Sequence, residues 1–224
     1  MIPNFYSAIG KRWFDAICAL AGLVFLAPIL VLVALAVRVS SRGPAFYKQV
    51  RTGQFGRPFR IFKFRTMRVQ DDANQSLLTA KGDARITPLG SFLRQSKVDE
   101  LPQLINVFLG DMSLVGPRPE VPVYTAKYTA RQKGILRERP GITGLSAVAY
   151  ADEECILASE TDKEGFYVGT LLPAKLELDI AYCKDITFVG DLRLISATVS
   201  RVLRGIFANR KIHRSLAKNP QFLD

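Results

Sequence analysis

Ala16-Ile-Cys-Ala-Leu-Ala-Gly-Leu-Val-Phe-Leu-Ala-Pro28-Ile-Leu-Val-Leu-Val-Ala-Leu-Ala-Val37 runs without a charged residue. Its length is close to the roughly 20 apolar residues that cross a bilayer. It is too long for a signal-peptide core, and no convincing small-residue cleavage site follows. Pro28 stands in the middle of it. A proline there removes a helical hydrogen bond and crowds the carbonyl of Val24, which predicts a kink. Lys11 and Arg12 precede the run, and Arg38, Arg42 and Lys48 follow it. Positive residues on both sides give no preferred orientation under the positive-inside rule. Two readings stay open: a bent helix that returns to the face it entered, and a kinked spanning helix.

Working outward, the segment from Arg38 to Arg68 holds nine basic residues and no acidic one. Phe46, Tyr47, Phe55, Phe59, Phe62 and Phe64 are interleaved with them. Such a patch could serve nucleic acid. Directly after a membrane run it more naturally meets lipid phosphates. Arg60-Ile-Phe-Lys-Phe-Arg65 alternates like a strand, with Ile61, Lys63 and Arg65 on one face. That face either offers Lys63 and Arg65 to a phosphate or is simply solvated. Toward the other end, Leu192, Ile195, Val199, Val202 and Ile206 recur at helical spacing among Arg193, Arg201, Arg204, Arg210, Lys211 and Arg214. This predicts a basic amphipathic helix that can lie in a membrane interface, pack on the core, or do both along its length.

The 224 residues suffice for one cored domain plus a membrane element, and the net charge of +11 asks for an anionic partner. Cys18, Cys155 and Cys183 fit neither a disulfide framework nor a metal motif, and they suit a reducing compartment. His213 is the sole histidine, so Ser-His-Asp and Cys-His catalysis do not fit. No internal repeat or low-complexity linker is visible, and the polar stretch 71–82 reads as a mobile loop near the site.

Thr87-Pro88 predicts a helix start, with Thr87 as cap and Pro88 at the first helical position. Then comes Lys97-Val-Asp-Glu-Leu-Pro102-Gln-Leu-Ile-Asn-Val-Phe-Leu-Gly110. Pro102 suits the first turn of a second helix and Gly110 its stop, which puts Asp99 and Glu100 at or just before a helix N-terminus. Acidic residues are common helix starters, so the pair alone says little. Its surroundings say more. Arg94 lies upstream. Downstream, Met112 to Val115 reads as a short strand, and Gly116-Pro117-Arg118-Pro119 as a stiff turn that aims a guanidinium suited to phosphate. Arg137 and Arg139 then stand beside glycines. Two carboxylates among fixed cations, with no histidine and an apolar segment nearby, fit phosphoryl transfer.

These stretches together resemble the bacterial sugar transferases known as monotopic phosphoglycosyl transferases. The resemblance runs from about Lys11 to Leu203. Its marks are Lys11-Arg-Trp-Phe-Asp15, Pro28, Phe62-Lys-Phe-Arg-Thr-Met67, Asp99-Glu-Leu-Pro-Gln-Leu-Ile-Asn-Val107, Gly110-Asp-Met-Ser-Leu-Val-Gly-Pro-Arg-Pro119 and Arg139-Pro-Gly-Ile-Thr-Gly144. It implies a mixed α/β, helix-rich fold in the family's minimal catalytic form. Residues 1–42 would make a re-entrant membrane helix broken near Pro28, and residues 43–224 a catalytic domain on the cytoplasmic face of the bacterial inner membrane. The implied donor is a UDP-sugar and the acceptor polyprenyl phosphate, usually undecaprenyl phosphate, with UMP released. Asp99 would be the nucleophile in a ping-pong reaction, Glu100 its partner, and Mg2+ would bind at Asp99 and Glu100. Lys63, Arg65, Arg94, Pro117, Arg118, Pro119 and Arg139 would line the substrates. Membrane lipid and a homo-oligomer are further implied partners, and nucleic acid is not. Leu145-Ser-Ala-Val-Ala-Tyr-Ala-Asp-Glu-Glu-Cys155 replaces the Trp and Gln of many relatives, which leaves the sugar open. A non-enzymatic lipid-binding module is the alternative, although two carboxylates would repel its ligand. A membrane-tethered nucleic-acid binder would show steep salt dependence.

Overall fold

The computed structural model describes residues 6–69, 78–80 and 82–218, with residues 204–218 as backbone only. Most of the expected loop 71–82 therefore lies outside the described residues, as do the basic side chains Arg204 to Arg214. The chain forms α1 (Lys11–Ser40), β1 (Phe46–Thr52), β2 (Pro58–Phe64), α2 (Pro88–Gln95), α3 (Gln103–Leu109), β3 (Ser113–Val115), α4 (Pro122–Thr125), β4 (Gly141–Thr143), α5 (Leu145–Ala149), α6 (Glu153–Ala158), α7 (Lys163–Phe166), α8 (Leu172–Lys184) and α9 (Phe188–Lys218). β1 and β2 pair as an antiparallel ribbon, Phe46 opposite Phe64 and Thr52 opposite Pro58. β3 and β4 pair in parallel, Ser113 opposite Gly141 and Val115 opposite Thr143. The fold is helix-rich mixed α/β.

The local signals explain the elements that frame the site. Thr87 Oγ1 accepts the Gly90 N–H at 2.9 Å, and Pro88 opens α2. Pro102 precedes α3, and Gly110 ends it with φ 97°. That left-handed conformation suits glycine and lets the Gly110 N–H close on the carbonyls of Asn106 and Val107. Asn106 ties α3 to β2. Its amide accepts the Phe62 N–H at 3.0 Å and donates to the Arg60 carbonyl at 2.8 Å.

Helical structure continues through Pro28, so residues 11–40 form one element with no interruption. A proline withdraws a single hydrogen bond, and the packed neighbours on both sides keep the rest. One side of α1 lies on the domain over most of its length. Ala19, Leu23 and Leu26 meet Leu104, Val107 and Met112. Leu30, Val33, Ala34 and Val37 meet Phe64, Leu89 and Leu93. The other side is bare, with Phe25 87% exposed and Val24, Leu32 and Val39 also open. No water-soluble packing partner covers this apolar face among the described residues.

Both ends of α1 are held by polar contacts with the same body. At its start Lys11 pairs with Asp191 of α9, and Arg12 donates to the carbonyls of Val107 and Phe108 at 2.6 and 2.8 Å. Asp15 accepts from Ser113 Oγ at 2.7 Å and from the Leu114 N–H at 3.0 Å. At its end the Arg65 guanidinium donates to the carbonyls of Val37 and Ser41 at 3.2 and 2.7 Å. On α9 the expected apolar stripe divides between the core and the surface. Leu194 and Ile195 pack inward, whereas Leu192 and Val199 are exposed.

Candidate active site

Asp99 and Glu100 occupy a 3-10 turn, Val98–Glu100, between α2 and α3. Lys97 precedes it in a left-handed conformation, φ 56°. A non-glycine residue held there is strained, and such strain gathers at working sites. The turn projects Glu100 toward β2, where Lys63 Nζ donates to its Oε1 at 2.7 Å. Arg118 Nη2 stands 3.7 Å from the same oxygen. Burial alone would raise the Glu100 pKa, but Lys63 and Arg118 outweigh it and hold the carboxyl well below the usual range. Burial pulls Lys63 down, and Glu100 partly restores it. Glu100 is therefore an ionised carboxylate inside a cage of cations.

Asp99 has the opposite environment. It is 6% exposed, and its Oδ1 is buried with no hydrogen-bond partner among the described residues. Burial pushes its pKa up to about 6, against the opposing pull of Lys63 and with a further push from Glu100. Two adjacent carboxyls thus differ because one is paired and the other is not. Buried polar atoms are nearly always partnered, so this oxygen has capacity for a partner that the described residues do not supply.

Beside Glu100 lies a shallow cleft, lined in part by Arg51, Lys63, Gln103, Arg118 and Pro119. Arg118 sits in the turn after β3. Close backbone approach builds that turn: a Cβ on Gly141 would stand 2.1 Å from Gly116 N, and one on Gly144 2.2 Å from Gly116 O. The Pro117 carbonyl accepts the Gly141 N–H at 2.9 Å, and the Pro119 carbonyl accepts from Arg51 at 3.1 Å. The two prolines and these bonds fix the backbone that carries the guanidinium.

The structure brings Lys63, Asp99, Glu100 and Arg118 together, with Pro117 and Pro119 framing Arg118. Arg94, in the last turn of α2, adds positive potential at Asp99 and is engaged by Glu154 of α6. Two expected residues go elsewhere. Arg65 caps the C-terminal end of α1 because β2 ends at Phe64, and the strand alternation that would align it with Lys63 stops there. Arg139 donates to the Gly110 carbonyl at 3.0 Å and so braces the end of α3.

Sequence reasoning missed a buried polar network behind the turn. Glu120 accepts from Tyr167 OH at 2.7 Å and from Lys175 Nζ at 3.3 Å. Arg51 lies 3.8 Å from its other oxygen. Asp179 accepts the Arg118 N–H at 3.3 Å. The available signal was the spacing within α8, where Lys175 and Asp179 interrupt the apolar stripe Leu172, Leu176 and Ile180.

The magnesium that the resemblance implies has a test here. Among the described residues no group of three or more metal-ligating side chains forms a cage. Mg2+ does not need one, since it is often held by one or two carboxylates together with substrate phosphates. The orphan Asp99 Oδ1 beside an ionised Glu100 fits that demand.

The chain matches the bacterial sugar transferase family over residues 6–205. It belongs to this family. It is 36% identical over 209 residues to a UDP-glucose:undecaprenyl-phosphate glucose-1-phosphate transferase of Caulobacter vibrioides, covering 90% of this chain and 73% of the relative. A transferase of the same name from Klebsiella pneumoniae is 34% identical over 199 residues, 88% of this chain but 40% of its own length. An exopolysaccharide production protein of Rhizobium leguminosarum is 37% identical over 209 residues, 87% of this chain and 96% of that protein.

Proposed function

We propose that this sugar transferase moves a sugar-1-phosphate from a UDP-sugar to undecaprenyl phosphate, as the first membrane step of glycoconjugate assembly. The observation that carries this reading is the contrast between the two carboxylates. Glu100 is locked among cations, while Asp99 keeps a buried oxygen without a partner. The names of the Caulobacter and Klebsiella relatives support the substrate class, and that of the Rhizobium relative supports exopolysaccharide as a destination.

In the first half-reaction an Asp99 carboxylate oxygen attacks the phosphorus that bears the sugar. A P–O bond forms to Asp99, the P–O bond to UMP breaks, and the bridging oxygen leaves with UMP. Arg118 is suited to stabilise that leaving phosphate, because a guanidinium offers paired donors. Lys63 keeps Glu100 ionised and oriented. In the second half-reaction an oxygen of undecaprenyl phosphate attacks the same phosphorus. Asp99 leaves as a carboxylate, and the acceptor, already an anion, needs no general base. Mg2+, when bound at Asp99 and Glu100, supplies charge neutralisation to the diphosphate.

The bare face of α1 supports placement in a bilayer, since an exposed apolar stripe of that length calls for lipid. The polar ties at both ends of α1 favour a monotopic arrangement over a spanning one. A spanning α1 would drag α2, α3 and β2, with the charges of Lys63 and Glu100, to bilayer depth. A bend at Pro28 would let the apolar middle dip into one leaflet while both ends stay at the cytoplasmic interface.

The test is UMP release from UDP-glucose and a panel of other UDP-sugars, in detergent or nanodiscs with undecaprenyl phosphate. Intact mass after incubation with donor alone should show an added sugar phosphate that Asp99→Asn lacks. Full turnover by Asp99→Asn would refute the covalent route, and no turnover with any donor would refute the assignment.

A further inference from the structure

α8 is buried along one side, where Leu172, Leu176 and Ile180 join the core. Lys175 and Asp179 share that burial, at 2% and 3% exposure. Charges are costly in such a place unless each is paired. Both reach one short segment, Pro117 to Glu120, although Lys175 also meets Glu153 and Tyr167, and Asp179 Oδ1 has no partner among the described residues. Lys175 Nζ donates to Glu120 Oε1 at 3.3 Å, to Tyr167 OH at 3.1 Å and to Glu153 Oε2 at 2.9 Å. Asp179 Oδ2 accepts the backbone N–H of Arg118 at 3.3 Å. The two residues lie one helical turn apart, so a single rigid helix grips the segment at two points on either side of Pro119.

The grip lies behind the guanidinium that faces Glu100. Arg118 has a long flexible side chain, and its position is set by where its backbone is pinned. The Glu120 carbonyl accepts the Thr52 N–H at 2.9 Å, and Arg51 reaches the Pro119 carbonyl at 3.1 Å. The β1 side is thus held independently, as is the β4 side, where the Pro117 carbonyl accepts the Gly141 N–H at 2.9 Å, and α8 supplies the support from behind. Without α8 the turn keeps only the β1 and β4 contacts, and Arg118 would move relative to Glu100. A displacement of about 1 Å in a phosphate-positioning group can cost about a hundredfold in rate.

We propose that Lys175 and Asp179 are positioning residues for the nucleotide-sugar donor, which hold the Pro117–Glu120 segment from behind so that Arg118 meets the donor diphosphate. This rests on the sugar-phosphate transfer proposed above. Neither residue touches substrate. Because UMP leaves after the first half-reaction, the effect is confined to the donor half.

Lys175→Met keeps the volume and removes the charge. Donor kcat/KM should fall by about tenfold or more, while acceptor kcat/KM stays within about twofold. The decisive measurement is a cycle with Arg118→Ala. If Lys175 acts through Arg118, adding Lys175→Met to Arg118→Ala lowers donor kcat/KM by no more than about twofold further. Full additivity in the cycle, or an unchanged donor kcat/KM in Lys175→Met, overturns the proposal and leaves a purely structural salt bridge. If Lys175→Met does not fold, Glu120→Gln enters the same cycle. Glu177→Gln, on the exposed side of α8, is the control expected to change nothing. UDP affinity by calorimetry reads the same coupling without turnover. Wild-type protein that binds UDP but transfers nothing therefore sinks the transfer reaction, and the cycle in UDP affinity still decides the role of Lys175.

Discussion

Lys63 Nζ lies 2.7 Å from Glu100 Oε1, and this contact reaches the second carboxylate of the Asp99-Glu100 pair while leaving Oδ1 of the first unpartnered. One strand residue thereby divides two neighbouring acids of similar intrinsic chemistry into a fixed anion and a free one.

Replacing the free one should separate stability from activity. Asp99 titrates from a raised pKa of about 6, so the folded state binds its proton more tightly than the unfolded chain does. Folding stability is therefore lost as the pH rises through the window between 3.8 and about 6, and at neutral pH the buried charge is a burden. Asp99→Asn should raise Tm at neutral pH by roughly 2–4 °C, the shift expected from about 1 kcal/mol in a protein of this size. It should also abolish UMP release. A lower Tm in differential scanning calorimetry would contradict this.

The donor half-reaction should lose activity on the acid side. Asp99 must be ionised to attack, so kcat/KM for the donor should fall as the pH drops below about 6. Asp179 is also pushed up to about 6 by burial, although hydrogen bonds and Lys175 oppose the shift. The acid limb should survive in Asp179→Asn if Asp99 sets it. Stopped-flow UMP release across pH makes the comparison, and a flat profile in Asp179→Asn would move the limb to Asp179.

Lys63→Met should damage both fold and function. Glu100 has a depressed pKa, so it contributes stability above its unfolded value near 4.5 and loses it as the pH falls below that. Removing Lys63 weakens this contribution. Arg118 remains nearby, so the loss should be roughly 2 kcal/mol, less than that of an abandoned buried charge. Urea melts at neutral and acid pH should show the gap between variant and wild type narrowing as the pH falls.

Gly141→Ala should loosen the Arg118 turn from a distance. The new Cβ would sit 2.1 Å from Gly116 N, a backbone atom that cannot swing aside. Overpacking of this kind costs about 1–3 kcal/mol. Tm should drop by several degrees and UMP release should fall with it. A variant with wild-type Tm would mean that β3 and β4 separate freely.

Both ends of α1 should report the same membrane face. Ile9→Cys and Arg42→Cys, in a background without Cys18, Cys155 and Cys183, place labels outside the apolar run. In intact cells an impermeant maleimide should miss both, and in inverted vesicles it should reach both. Labels on opposite faces would establish a spanning helix.

Much of this arrangement was legible along the chain because it rests on local rules. The Thr87-Pro88 cap, the Gly110 stop, the uncharged run from Ala16 to Val37 and the placing of Asp99 before α3 all follow from contacts within a few residues. Strand alternation put Lys63 on one face of β2 but left open whether that face meets a phosphate or solvent, and the folded chain gives it Glu100. Arg65 was not legible, because alternation says nothing about where a strand stops, and β2 stops one residue before it. Arg139 offered a charge beside glycines, and only the folded chain could show that its partner is the Gly110 carbonyl.

The amino-acid order by itself determined the start of α2, the end of α3, the apolar segment and the identity of the acidic pair, since capping, periodicity and charge act over a turn or two of chain. The tertiary structure decided which carboxylate is caged and which is free, and that Lys175 and Asp179 grip the Arg118 turn. Burial and hydrogen bonding join residues far apart in the chain, 61 positions from Arg118 to Asp179, and no local rule reaches that far.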